Sequence, residues 1–94
     1  MVVGVLELAL AVPAMTLKEK RSVVKRVLNR TRQKFNVAAA EVEELDNPAA
    51  AVIGIVAVGN DRRFINSVLD HVANHVDRME LAEIVDQHIE LEHY

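Results

Sequence analysis

Between Leu17 and Phe35 stand Lys18, Lys20, Arg21, Lys25, Arg26, Arg30, Arg32 and Lys34, opposed by one acid, Glu19. That segment carries a formal +7 over 19 residues, while the rest of the chain sets three Arg against thirteen acids, a formal -10. The net charge of -3 averages these two regions, and local fields decide what such a molecule attracts. No Glu-to-Lys pair at i,i+4 offsets the cations. Arg21–Lys25, Arg26–Arg30 and Arg30–Lys34 are instead like-charge pairs, each costing about 0.2–0.5 kcal/mol in an isolated helix. A solvated surface helix ordinarily mixes signs. Single-sign charge of this density suits a polyanion, with RNA phosphates the expected partner. Lys18, Lys25, Arg26, Arg30, Arg32 and Lys34 are the candidate contacts, positioning the protein with little base specificity. The competing explanation is that Glu41, Glu43 and Glu44 neutralise the cations, within the fold or from another subunit.

Other chemistry finds less support. His71 and His75 sit four residues apart and could offer two imidazoles to a metal, but no third ligand follows by spacing and there is no HExxH pattern. They are expected to be partly exposed structural histidines, and no metal or cofactor is expected. An acylphosphatase-like site needs a glycine-rich cradle with an Arg after the first strand. The corresponding segment here is Pro13-Ala14-Met15-Thr16. Nothing resembles a P-loop, a nucleophile elbow or a dinucleotide fingerprint, and without Cys there is no thiolate chemistry or disulfide framework. A non-catalytic protein is expected.

The elements that must carry these residues follow from periodicity. Residues 2–12 are nearly all apolar and stop at Pro13, reading as a central strand. Thr16-Leu17-Lys18-Glu19 supplies a capping box, in which Glu19 reaches back to the Thr16 amide. A helix over about 17–35 buries Leu17, Val24, Leu28, Thr31 and Phe35, widened by Val27. Lys18, Lys25, Arg26 and Arg30 fall opposite that stripe, and Arg32 and Lys34 fall on its flanks. Lys20 and Arg21 lie nearer the stripe, so their stems are expected to snorkel. Strands are expected over 37–45, 50–58 and 81–93, with a second helix over about 61–78 that Asp61 caps.

The order βαββαβ makes residues 1–94 a single ferredoxin-like α+β domain, a four-stranded antiparallel sheet of order 4132 with two helices on one face. Right-handed crossovers are expected to set strands one and three together at the centre, in parallel. The other sheet face is left open. It shows either Val3, Val5, Ala9 and Ala11 or Val2, Leu6, Leu8 and Leu10, with Ile53 and Ile55 or Val52, Val56 and Val58 beside them. Such a patch marks a partner surface, and a homo-oligomer through it is expected. Base stacking of the RRM kind is not, because the central strands hold no aromatic residue. Short apolar runs and an amino terminus without a signal-peptide pattern predict a cytoplasmic protein that does not enter a membrane.

Leu17-Lys18-Glu19-Lys20-Arg21-Ser22 resembles the signature of the YlxP-like bacterial family of unknown function. Phe35-Asn36-Val37 running into Ala40-Glu41-Val42 resembles its second strand, and Asn60-Asp61 with Ser67-Val68-Leu69-Asp70 its second helix. Alanine at 38–40 departs from the larger β-branched residues expected there, a difference that bears on packing. The resemblance implies a ferredoxin-like fold. It also implies a role near RNA or the ribosome, because genes of the family often lie beside those for transcription elongation, translation initiation and ribosome maturation factors. It implies no catalytic or binding residues.

Overall fold

The two most apolar segments pair along their whole length. In a computed structural model, which describes residues 1–94, the elements are β1 (Val2–Ala11), α1 (Leu17–Lys34), β2 (Ala38–Glu43), β3 (Ala50–Gly59), α2 (Arg62–Arg78) and β4 (Glu83–His93). They form one open sheet of order β2-β3-β1-β4, the expected 4132 arrangement, with both helices on one face. β1 and β3 run side by side from Val2↔Gly59 to Ala11↔Ala50.

Their pairing is antiparallel, not parallel. A crossover helix returns the chain parallel to the strand it left but one position away, and the following hairpin then fills the gap with a reversed strand. The parallel relations are therefore β1 with β2 and β3 with β4, neither pair adjacent, and every neighbouring pair is antiparallel.

The helix-side face of β1 is Val2, Gly4, Leu6, Leu8 and Leu10, and that of β3 is Ala51, Ile53, Ile55 and Ala57, all buried. Val24, Val27 and Leu28 from α1 and Ile65, Leu69, Val72, Ala73 and Val76 from α2 complete the core. Gly4 is where α2 meets the sheet most closely: a Cβ there would lie 2.5 Å from Ile65 Cγ2 and 2.9 Å from Leu69 Cδ1. Thr31, buried on α1, donates its hydroxyl to the Val27 carbonyl at 2.8 Å, so the polar group costs the core little.

Both helix starts form as their sequences predict, with one difference. Asp61 accepts from the Arg63 amide at 3.1 Å. The Thr16 hydroxyl accepts from the Glu19 amide at 3.1 Å and donates to the Glu19 carboxylate at 3.1 Å, so that carboxylate does not reach the Thr16 amide. Two strand irregularities matter below. The β2–β3 register shifts between Glu41 and Glu43, making Val42 the extra residue, and the β1–β4 register shifts at Ala9/Leu10, making Val85 extra.

Candidate nucleic-acid interface

Helix α1 lies along β2, and its cations divide into three groups by what they touch. The first is Lys20. It is fully buried and does not snorkel. Its Nζ lies 2.6 Å from Glu41 Oε2, donates to the Glu44 carbonyl at 2.7 Å, and lies 3.4 Å from the Leu45 carbonyl. Glu44 adopts φ 62°, the left-handed turn from which its carbonyl accepts this bond. The edge strand turns Glu41 toward the helix layer because it pairs with Ile53, a core residue. Neutralisation of the basic helix by strand carboxylates therefore does occur, at this one position.

The second group is Arg32. Its guanidinium donates to the Ala39 carbonyl at 2.6 Å and to Asn29 Oδ1 at 3.1 Å. It thus caps an edge-strand carbonyl that would otherwise be free to pair with another chain. Arg32 is exposed, but part of its donor fork is already committed.

The third group is Lys18, Lys25, Arg26, Arg30 and Lys34, all exposed and none paired with a carboxylate. Arg21 joins them. The helical wheel sets it close to the apolar stripe, yet it is exposed and without an acidic partner. Between the cations lie the uncharged Ser22, Asn29 and Gln33, and the one acid on this outer face is Glu19 in the first turn, whose carboxylate accepts from the Thr16 hydroxyl at 3.1 Å.

The end of α1 also meets α2, which periodicity within α1 alone does not show. Phe35 at the end of α1 meets His75 edge to face, centroids 5.5 Å apart, and Lys34 Nζ stands 6.0 Å from the Phe35 ring centre. The partly buried His75 is held below the ordinary imidazole pKa, first by desolvation and then by repulsion from Lys34, Arg78 and Arg30. Arg78, three residues beyond His75 on α2, is exposed and donates its Nε to the Asn74 carbonyl at 3.3 Å. His71 is also exposed, and no group of three His, Cys, Asp or Glu side chains is arranged to hold a metal ion.

The cations are confined to one layer of the molecule. All eleven Lys and Arg lie on the two helices, and no strand holds any. The open sheet face carries Glu7, Glu43, Glu83, Asp86, Glu90 and Glu92, as their pairing with outward residues of β1 and β3 shows. His88 sits among them, 2.9 Å from Glu90 Oε1, and that hydrogen bond raises its pKa.

Residues 3–89 match the family described as "Protein of unknown function (DUF503)". The chain belongs to this family. It is 39% identical over 62 residues to "Uncharacterized protein YlxP" of Bacillus subtilis (strain 168), covering 66% of this chain and 67% of the relative. The YlxP-like resemblance is thereby shown. Among solved structures, this DUF503 chain superposes on the de novo designed protein Foldit4 with a TM-score of 0.53, at 12% identity over 99% of this chain and 97% of that one. It superposes on the structural-genomics protein YJCS with a TM-score of 0.51, at 14% identity over 94% and 96%. At these identities the likeness is one of fold. The family description assigns no activity, and no helix of this DUF503 protein is long and apolar enough to cross a membrane.

Proposed function

We propose that this DUF503 protein is a non-catalytic, cytoplasmic RNA- or ribosome-associated binding protein that meets phosphates with the outer face of α1. The observation that carries the reading is the row Lys18, Lys25, Arg26, Arg30 and Lys34, none paired with a carboxylate, with Glu19 in the first turn the one acid on that face. Arg32 contributes from the flank while holding Ala39. Rigid helical spacing lets several cations engage successive phosphates at once, which gives affinity and salt dependence without base readout.

Sedimentation with ribosomal subunits at two salt concentrations, followed by titration of structured RNA, tests this. Replacing Lys25, Arg26 and Arg30 by Gln removes three contacts. The slope of log affinity against log salt then falls by about 2–3, and a fourfold change in salt alters binding roughly 20–40-fold less than in the parent. A triple variant that keeps the parent's affinity and slope overturns the proposal.

A second reading is favoured by the apolar open sheet face, where Val3, Val5, Val52, Val56 and Val58 lie outward. On it the protein is an adaptor or homo-oligomer. Light scattering at tens of micromolar protein, where a mass above 10.5 kDa indicates self-association, separates the homo-oligomer from an adaptor for other proteins.

A further inference from the structure

We propose that the open sheet face is a docking surface for a basic amphipathic helix of another protein. This rests on the sheet and is independent of the RNA reading, which uses the opposite layer.

The apolar part of the face is a band on the two central strands, Val3 and Val5 on β1 beside Val52, Val56 and Val58 on β3. Two strands at about 4.8 Å spacing give a band ~10 Å wide, the diameter of one helix. The band is indented, not flat. A groove of about 390 Å³ runs over Val5, Ala38, Ala40, Gly54 and Val56, bounded by Val42 and Glu43. It exists because β2 presents alanines there and Gly54 presents no side chain. The bulged Val42 folds over Gly54, where a Cβ would come within 3.2 Å of it. Large apolar side chains at helical spacing fill such a groove.

Charge decides between occupants. Asp86, Glu90 and Glu92 line the band on the β4 side, Glu43 lies at the β2 side, and Glu7 rises from within it opposite Gly54. A smaller hollow of about 160 Å³ gathers Glu7, Glu43 and Asp86 with His88. A second copy placed sheet to sheet would set these carboxylates against their own duplicates, with His88 the sole group on either face able to turn positive. A second copy offering α1 would bring cations but no apolar side chain on its outer face. RNA is repelled. A foreign helix with an apolar stripe flanked by Lys or Arg satisfies the band and both rims together.

The test uses the whole protein and a synthetic amphipathic peptide of Leu and Lys, about 18 residues and ~27 Å of helix. Titration followed by amide shifts is expected to perturb outward-facing residues of β1, β3 and β4 and to leave α1 unmoved. Replacing Glu7, Glu90 and Glu92 by Gln weakens binding about ten-fold, the product of three exposed ion pairs. Exchanging the peptide's Leu for Ser abolishes binding, and neutralising Lys25, Arg26 and Arg30 leaves it unchanged. The proposal is overturned if shifts map elsewhere, if the Gln variant binds as tightly as the parent, or if a Leu/Glu peptide binds equally. Light scattering that shows a stable dimer through this face also overturns it.

Discussion

Lys20 is the sharpest place to probe how the basic helix is built. Its side chain is wholly buried, with Nζ 2.6 Å from Glu41, which keeps 14% of its own side chain exposed, and 2.7 Å from the Glu44 carbonyl. Lys20→Met keeps the length of the stem and removes the charge. The Glu41 carboxylate is then stranded against a thioether and the Glu44 carbonyl loses its donor. Breaking one side of a buried pair costs about 3–5 kcal/mol. In a chain of 94 residues each kcal/mol moves the melting temperature by about 4–8 °C, so a fall of at least about 12 °C is expected. Calorimetry and urea unfolding followed by circular dichroism give the two numbers. The double variant Lys20→Met/Glu41→Leu should recover most of the loss, because an apolar pair of similar volume often matches a buried ion pair. A single variant losing less than about 1 kcal/mol refutes the reasoning, since that is the ordinary cost of an arbitrary substitution. So does a double variant as unstable as the single one. Below its melting temperature Lys20→Met should also keep the parent's salt dependence with RNA, since Lys20 has no exposed surface to offer a phosphate.

Three further outcomes follow from local geometry. Gly4→Ala forces a methyl into Ile65 and Leu69 and should cost about 1–3 kcal/mol by overpacking, read from the urea midpoint. Glu80 follows α2 at φ 53°, so Glu80→Gly should stabilise by about 0.5–1 kcal/mol and raise the melting temperature by several degrees. His75 titrates below its unfolded value of 6.5 because burial, Lys34, Arg78 and Arg30 all oppose its protonation. Around and below that pH the unfolded state binds more protons, so this residue's contribution to stability is present above 6.5 and lost on acidification. Unfolding at pH 7.5 and 5.5 should therefore show a smaller loss on acidification in His75→Gln than in the parent, and an equal loss excludes His75 as the cause.

The element order was legible because the signals were local and agreed with one another. Pro13 ends an apolar run, Thr16 and Asp61 cap, and the two strands richest in aliphatics end up central. Which face of β1 is buried was not legible. Both alternations are apolar, and the choice of Leu6, Leu8 and Leu10 over Val3 and Val5 depends on how α2 settles over Gly4. Lys20 departs from its expected snorkelling for a related reason. The helical wheel sets it beside the apolar stripe, but nothing within the helix reveals that Glu41, 21 positions later, faces it across the layer. Arg32 likewise finds its strongest acceptor on a backbone carbonyl, which no side-chain pattern displays. The bulge at Val42, and with it the groove over Gly54, depends on a register shift between two strands, a property of neither strand alone.

The absence of any Lys or Arg from the strands has a kinetic consequence. The molecule is an electric dipole roughly perpendicular to its sheet, and its smallest Cα extent is 18 Å. Physiological salt screens charges over about 8 Å, so an approaching macromolecule feels whichever side is nearer and not the formal -3 of the whole. A polyanion and a cationic protein would each turn the domain by torque before touching it, in opposite senses. The two could then be held at once without competing, with the hydrophobic core acting as insulation between them.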